Sequence, residues 1–112
     1  MIVTVTDAGV TAVFTPRGEI DGDSLPGLLS AVDMLPESVT RVTWDLRQAQ
    51  FMDVAGLHLL IHQRSACQEA GRILTVVGLD RQPQRLIELA EELFPEGRWG
   101  DFLPGGLLAA AG

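Results

Sequence analysis

Trp44-Asp45-Leu46-Arg47-Gln48-Ala49-Gln50-Phe51-Met52-Asp53-Val54-Ala55-Gly56-Leu57-His58-Leu59-Leu60 is the stretch whose reading decides the fold. It opens inside a strand: over Arg41 to Leu46, the residues Val42, Trp44 and Leu46 alternate with Thr43 and Asp45, the period-two pattern of one buried face. It closes inside a helix. Asp53 is placed to cap that helix, which runs to Ala70 and stops at Gly71, a residue free to take the left-handed position past a helix end. A short loop between the two delivers Asp53 to the helix N-terminus.

Working outward, Ile2 to Thr6 and Val10 to Thr15 are rich in Val and Thr and flank Asp7-Ala8-Gly9, which predicts an antiparallel hairpin. After Gly18-Glu19-Ile20-Asp21, read as a turn, Asp23 and Ser24 can cap a helix carrying Leu25, Leu28, Leu29, Val32 and Leu35 at helical spacing, with Pro36 as its stop. Ile73 to Val77 reads as an interior strand. Asp80 to Phe94 reads as a helix with Leu86, Leu89, Ala90 and Leu93 as its apolar stripe. Strands alternating with helices predict an α/β fold, a mixed sheet of four to five strands whose later members are parallel and joined by right-handed helical crossovers, with the helices mainly on one face. Trp99 to Leu103 is expected as a weak edge strand, and residues 103–112 as a short helical or loose tail of one domain spanning 1–112.

The 112 residues suffice for one modest core and not for two. No apolar run approaches the roughly 20 residues of a membrane span, and the first residues lack the basic-then-apolar pattern of a secretory leader, so the expectation is a cytoplasmic chain with no direct membrane insertion. The net charge of −7 repels phosphate backbones and the eight basic residues, all arginine, are scattered, which argues against nucleic acid. Cys67 is the single cysteine and reads as a small buried apolar side chain, with no disulfide or paired-thiolate zinc site possible within the chain. No Gly-rich phosphate loop or nucleophile elbow is present, and no cofactor is expected.

Two short motifs remain, Gly18-Glu19-Ile20-Asp21 and Asp53-Val54-Ala55-Gly56-Leu57. Together they resemble the STAS family, whose members pair a Gly-Glu-Leu-Asp-like turn with an Asp-Ser-Ser-Gly-Leu-like helix start, and the order of elements is similar from Ile2 to about Phe94. The resemblance implies a module that binds a regulatory protein, an anti-sigma factor with a serine-kinase-like domain. It also implies a phosphorylated serine just before the helical glycine. Ala55 occupies that position here, so no phosphorylation is expected there. STAS domains also serve as cytoplasmic subunits of lipid-transport ATPase complexes, and Gly56-Leu57-His58-Leu59-Leu60-Ile61-His62 is similar to that subfamily's helix, which makes a transporter ATPase subunit the alternative partner.

A helical wheel, independent of the family, gathers Leu57, Leu60, Ile61 and Cys67 on a core side and Ala55, His58, Leu59, His62 and Ala66 on the other. Joined to the motif residues that the resemblance implies, this gives an expected partner surface of Asp21, Asp53, Val54, Ala55, Gly56, His58, Leu59 and His62. Arg64 falls within the apolar stripe, so either its stem reaches out to solvent or the helix is turned from this assignment. Asp53 has a second reading as a plain helix cap. His58 and His62 have the i, i+4 spacing of a metal pair, but no glutamate stands between them and no third ligand is evident, so they read as solvated. Glu88, Glu91, Glu92 and Glu96 read as a wetted helix face. An enzyme using Asp21, Asp53 and His58 as acid and base is the least supported reading, because nothing marks an enclosed pocket.

Overall fold

Val and Thr are abundant on both sides of Gly9, and these β-branched residues build a hairpin at the edge of the main sheet in the computed structural model, which describes residues 2–6, 9–106 and 108. Strand β1 (Ile2–Thr6) runs antiparallel to β2 (Thr11–Thr15), with Thr4 opposite Val13. Gly9 turns the chain with φ of 87°, a conformation that disfavours a Cβ, while Asp7 and Ala8 lie outside the described residues. Next to β2 lies β4 (Arg41–Asp45), and next to that β6 (Ile73–Val77), both parallel to it, so the sheet order is β1-β2-β4-β6. The mixed sheet and its parallel later strands agree with the sequence reading, but β6, expected as an interior strand, lies at the end of the sheet.

Two segments expected as turn and loop are strands. Gly18–Ile20 forms β3 and Ala49–Met52 forms β5, and they pair parallel in a separate two-stranded sheet, with Ile20 opposite Met52 and a register shift between Gly18 and Glu19. Neither shows alternation on its own, since Ala49 and Met52 are buried while Gln50 and Phe51 are exposed. Their pairing is a contact between distant parts of the chain, invisible to local periodicity.

Helix α1 (Leu25–Asp33) buries Leu28 and Val32 and half-buries Leu25 and Leu29, as its spacing predicts. Helix α2 (Val54–Ala70) starts at the Asp53 cap and ends at Gly71, whose φ is 69°, both as expected. Helix α3 (Arg81–Leu93) departs from expectation in the face it buries: Pro83, Ile87 and Ala90 are covered, whereas Leu89 and Leu93 are exposed. The reason is its partner, since α3 packs on β5, a strand the sequence does not announce.

Trp99 to Leu103 does not form an edge strand. Trp99–Phe102 is a 3-10 turn following another at Pro95–Gly97, and Trp99 and Phe102 are buried. This segment straps across α2. The Arg64 guanidinium donates to the carbonyls of Gly97 and Arg98, lies 3.8 Å from an Asp101 carboxylate oxygen, and sits 4.9 Å from the Phe102 ring centroid. Arg64 thus stands in an apolar stripe because the strap covers it. From α3, Glu91 accepts from the Gly100 N–H at 2.8 Å, so this member of the acidic run is a tether, while Glu88, Glu92 and Glu96 are exposed. Of the expected tail, residues 107 and 109–112 lie outside the described residues.

At the centre Phe14 stacks on Trp44 with ring centroids 4.7 Å apart. Gln63, fully buried on α2, accepts from the Trp44 indole N–H at 3.1 Å, so one hydrogen bond locks the helix to the middle of the sheet.

Candidate functional site

The parallel pairing of β3 with β5 brings the two sequence motifs together. Ile20 lies opposite Met52, and the Asp53 N–H donates to the Ile20 carbonyl at 3.1 Å, so Asp21 and Asp53 leave the C-terminal ends of adjacent strands. Each carboxylate then turns back on its own chain. Asp21 Oδ1 accepts from the Asp23 and Ser24 N–H groups at 3.1 and 3.0 Å, and the Ser24 hydroxyl accepts from the Asp21 N–H at 3.0 Å. This reciprocal pair orders the entry to α1, and Ser24 makes no side-chain cap bond of the kind the sequence suggests. Asp53 Oδ1 accepts from the Ala55 N–H at 2.7 Å, capping α2 while remaining exposed.

Glycine at position 56 is a packing requirement. A Cβ there would come within 2.6 Å of Met52 Sδ, so only glycine lets the first turn of α2 approach β5 this closely. Gly56 is accordingly buried and presents no surface to a partner. Leu59 corrects the helical wheel more sharply. It is 1% exposed, and the core side of α2 is Gly56, Leu59, Leu60, Gln63 and Cys67. Leu57 and Ile61, assigned to the core, are only half-buried. Apolar character alone does not set the buried face of α2. A buried glutamine and a buried glycine belong to the core face, for reasons of hydrogen bonding and close approach that hydrophobicity does not report.

The surface that remains open carries Asp53, Val54, His58 and His62, with Ala55 partly exposed. Val54 is 60% exposed. Beside it Leu57, His58, Ile61, Phe94 and Trp99 join Val54 in lining a shallow, predominantly apolar groove of about 280 Å³. Phe94, just past α3, is 61% exposed. Sequence reasoning missed Phe94 and Trp99 as site residues. Three aromatics within nine positions, Phe94, Trp99 and Phe102, were the available signal.

Elsewhere, Cys67 is buried as its reading predicts, and burial pushes its thiol above the usual range. Asp45 is held below the usual carboxylate range by its side-chain hydrogen bonds with Arg47, the shortest at 2.7 Å. Among the described residues no helix is long and apolar enough to cross a membrane, and no cluster of three or more His, Cys, Asp or Glu has the arrangement to hold a metal ion.

Solved structures similar to this chain share its fold. The anti-sigma factor antagonist SpoIIAA in its unphosphorylated form is 15% identical, over 87% of this chain and 96% of that one, with a TM-score of 0.64. The phosphorylated form of SpoIIAA, a Bacillus cell fate determinant, is 19% identical over 92% of this chain and 89% of that one, with a TM-score of 0.52. A sulfate transporter family protein from Wolinella succinogenes is 21% identical over 83% of this chain and 78% of that one, with a TM-score of 0.65. No curated protein sequence matches the chain. The STAS domain family model matches residues 1–94, which include both carboxylate motifs and the whole of the two sheets that set them side by side, and the chain therefore belongs to the STAS domain family.

Proposed function

We propose that this chain is a protein-binding regulator of the anti-sigma factor antagonist kind, docking an anti-sigma factor with a serine-kinase-like domain on the corner where α2 begins. The observation that carries the reading is the exposed apolar surface at that corner: Val54 and the groove reaching to Phe94 lie directly beside the Asp53 cap. Exposed apolar side chains next to a polar rim are the ordinary composition of a protein contact. Asp21, Asp53, Ala55, His58 and His62 form the polar and small-residue part of the same surface. Gly56 and Leu59 support it from beneath.

On this reading the corner is where a phosphate would act as a switch, and Ala55 removes that switch. A phosphate on residue 55 would sit on the first turn of α2, near the Asp53 carboxylate that already takes the Ala55 N–H, and would change the charge of the docking surface by nearly two units. Ala55 has no hydroxyl, so the antagonist stays in its binding form. Intact-mass measurement after incubation with the partner kinase and ATP is expected to show no phosphate on the wild-type chain. Ala55→Ser is expected to accept one phosphate and, once modified, to bind the kinase at least tenfold more weakly. Stoichiometric phosphate on the wild-type chain overturns the switchless reading.

A second reading, a STAS subunit of a lipid-transport ATPase complex, is favoured by the Gly56 to His62 run. Affinity isolation of the native complex separates the two: a sigma-regulating kinase supports the first, a transporter ATPase the second.

A further inference from the structure

The two edges of the main sheet are finished differently. Along β6 the Val76 N–H is taken by the carbonyl of Leu108, so part of that edge is met by the chain itself. Along β1 nothing comparable is present: among the described residues, no backbone group outside β2 pairs with it. Exposed edges in proteins are ordinarily blunted by a lysine, a proline or a bulge. Ile2-Val3-Thr4-Val5-Thr6 carries no charge and no proline, and its register with β2 runs without a bulge.

Val3 stands opposite Phe14 and Val5 opposite Ala12, both of which are buried, so the two valines continue the apolar face of the sheet. They are nonetheless 43% and 44% exposed. An uncovered strand with uncovered valines admits several occupants, and the sequence selects one. Val3-Thr4-Val5 reads the same in both directions, so an antiparallel neighbour identical to β1 meets it valine to valine on one face and, on the other, Thr4 to Thr4 with Ile2 opposite Thr6. That self-complementarity is the requirement of a two-fold contact, in which one patch must match itself.

We propose that β1 pairs antiparallel with β1 of a second copy of this chain about a two-fold axis at Thr4, joining two four-stranded sheets into one continuous sheet. Val3 of one protomer then lies against Val5 of the other. One five-residue strand on each side buries less than the roughly 1,200 Å² of a standard interface, so the dimer is weak and concentration-dependent. The contact lies at the β1 edge, whereas α2 packs against β6 at the other side of the sheet, so both corner sites remain open in the dimer.

The test uses the whole chain. Sedimentation equilibrium from about 10 µM to 1 mM is expected to show monomer passing to dimer. Thr4→Lys, an exposed position, sets two like charges on the axis and is expected to abolish the transition with an unchanged circular dichroism spectrum. Thr4→Cys is expected to cross-link to a covalent dimer under a mild oxidant, because directly opposed Cβ atoms in an antiparallel pair lie about 4.5–5.5 Å apart. Cys67 is buried and stays silent, and Ser65→Cys, exposed on α2, is the collision control. A monomer across the whole range, a dimer that survives Thr4→Lys, or equal cross-linking through position 65 each overturn the proposal. Loss of partner binding at the α2 corner would leave all of these readouts unchanged, so failure of the one reading is distinguishable from failure of the other.

Discussion

The two faces of α2 carry similar amounts of apolar side chain and meet opposite fates. On one, Leu59 and Leu60 are sealed against the sheet, Gln63 is bonded to Trp44, and Gly56 is pressed on Met52. On the other, Val54, Leu57 and Ile61 remain wholly or partly open beside His58 and His62. Burial on this helix follows geometric fit and hydrogen-bond satisfaction as much as hydrophobicity. The apolar residues left outside are the ones available to a partner.

The contrast predicts its own tests. Leu59→Ala removes most of a fully buried side chain and is expected to cost about 2–5 kcal/mol in urea unfolding, whereas Val54→Ala on the open face is expected to change stability by less than about 0.5 kcal/mol. Partner affinity should move in the reverse order once the fold is intact. Equal costs at the two positions would mean that the faces are misassigned.

Gln63→Leu sharpens the comparison by keeping volume and removing the acceptor. The Trp44 N–H, buried at the centre of the sheet, then has no partner, for an expected loss of about 1–3 kcal/mol. Adding Trp44→Phe should make the double variant more stable than the sum of single losses predicts, because no orphaned donor remains.

The smallest effect is expected at the exposed ion pair of Asp45 and Arg47. The folded-state pKa of Asp45 is lowered, so its contribution to stability is fully present above the unfolded-state value of 3.8 and is lost as pH falls through the lower folded-state value. Acid titration of unfolding should show a shallow dependence in that window, flattened further in Asp45→Asn.

Much of this fold was legible in local chemistry. Asp53 and Gly71 mark the ends of α2 because capping and positive φ involve only a few neighbouring residues. The alternation of Val42, Trp44 and Leu46 marks a strand for the same reason. The candidate site was legible only in part. Asp21 and Asp53 stand out in the sequence as a turn carboxylate and a helix cap, but their juxtaposition depends on β3 and β5, which are too short and irregular to show a period. Arg64 looked misplaced in an apolar stripe until the Pro95 to Phe102 strap was seen to cover it.

The amino-acid sequence by itself determined the main-sheet strands and the three helices, the Asp53 cap and Gly71 stop of α2, and the small residues at 55 and 56, all of which are properties of single residues and their near neighbours. Only the tertiary structure decided which side of α2 faces the core, which apolar residues of α3 stay in water, and that Phe94 and Trp99 complete the groove beside Val54. The physical reason is that periodicity identifies an apolar face without naming what covers it. Here the covers are a two-stranded sheet and a C-terminal strap assembled from residues far apart in the chain.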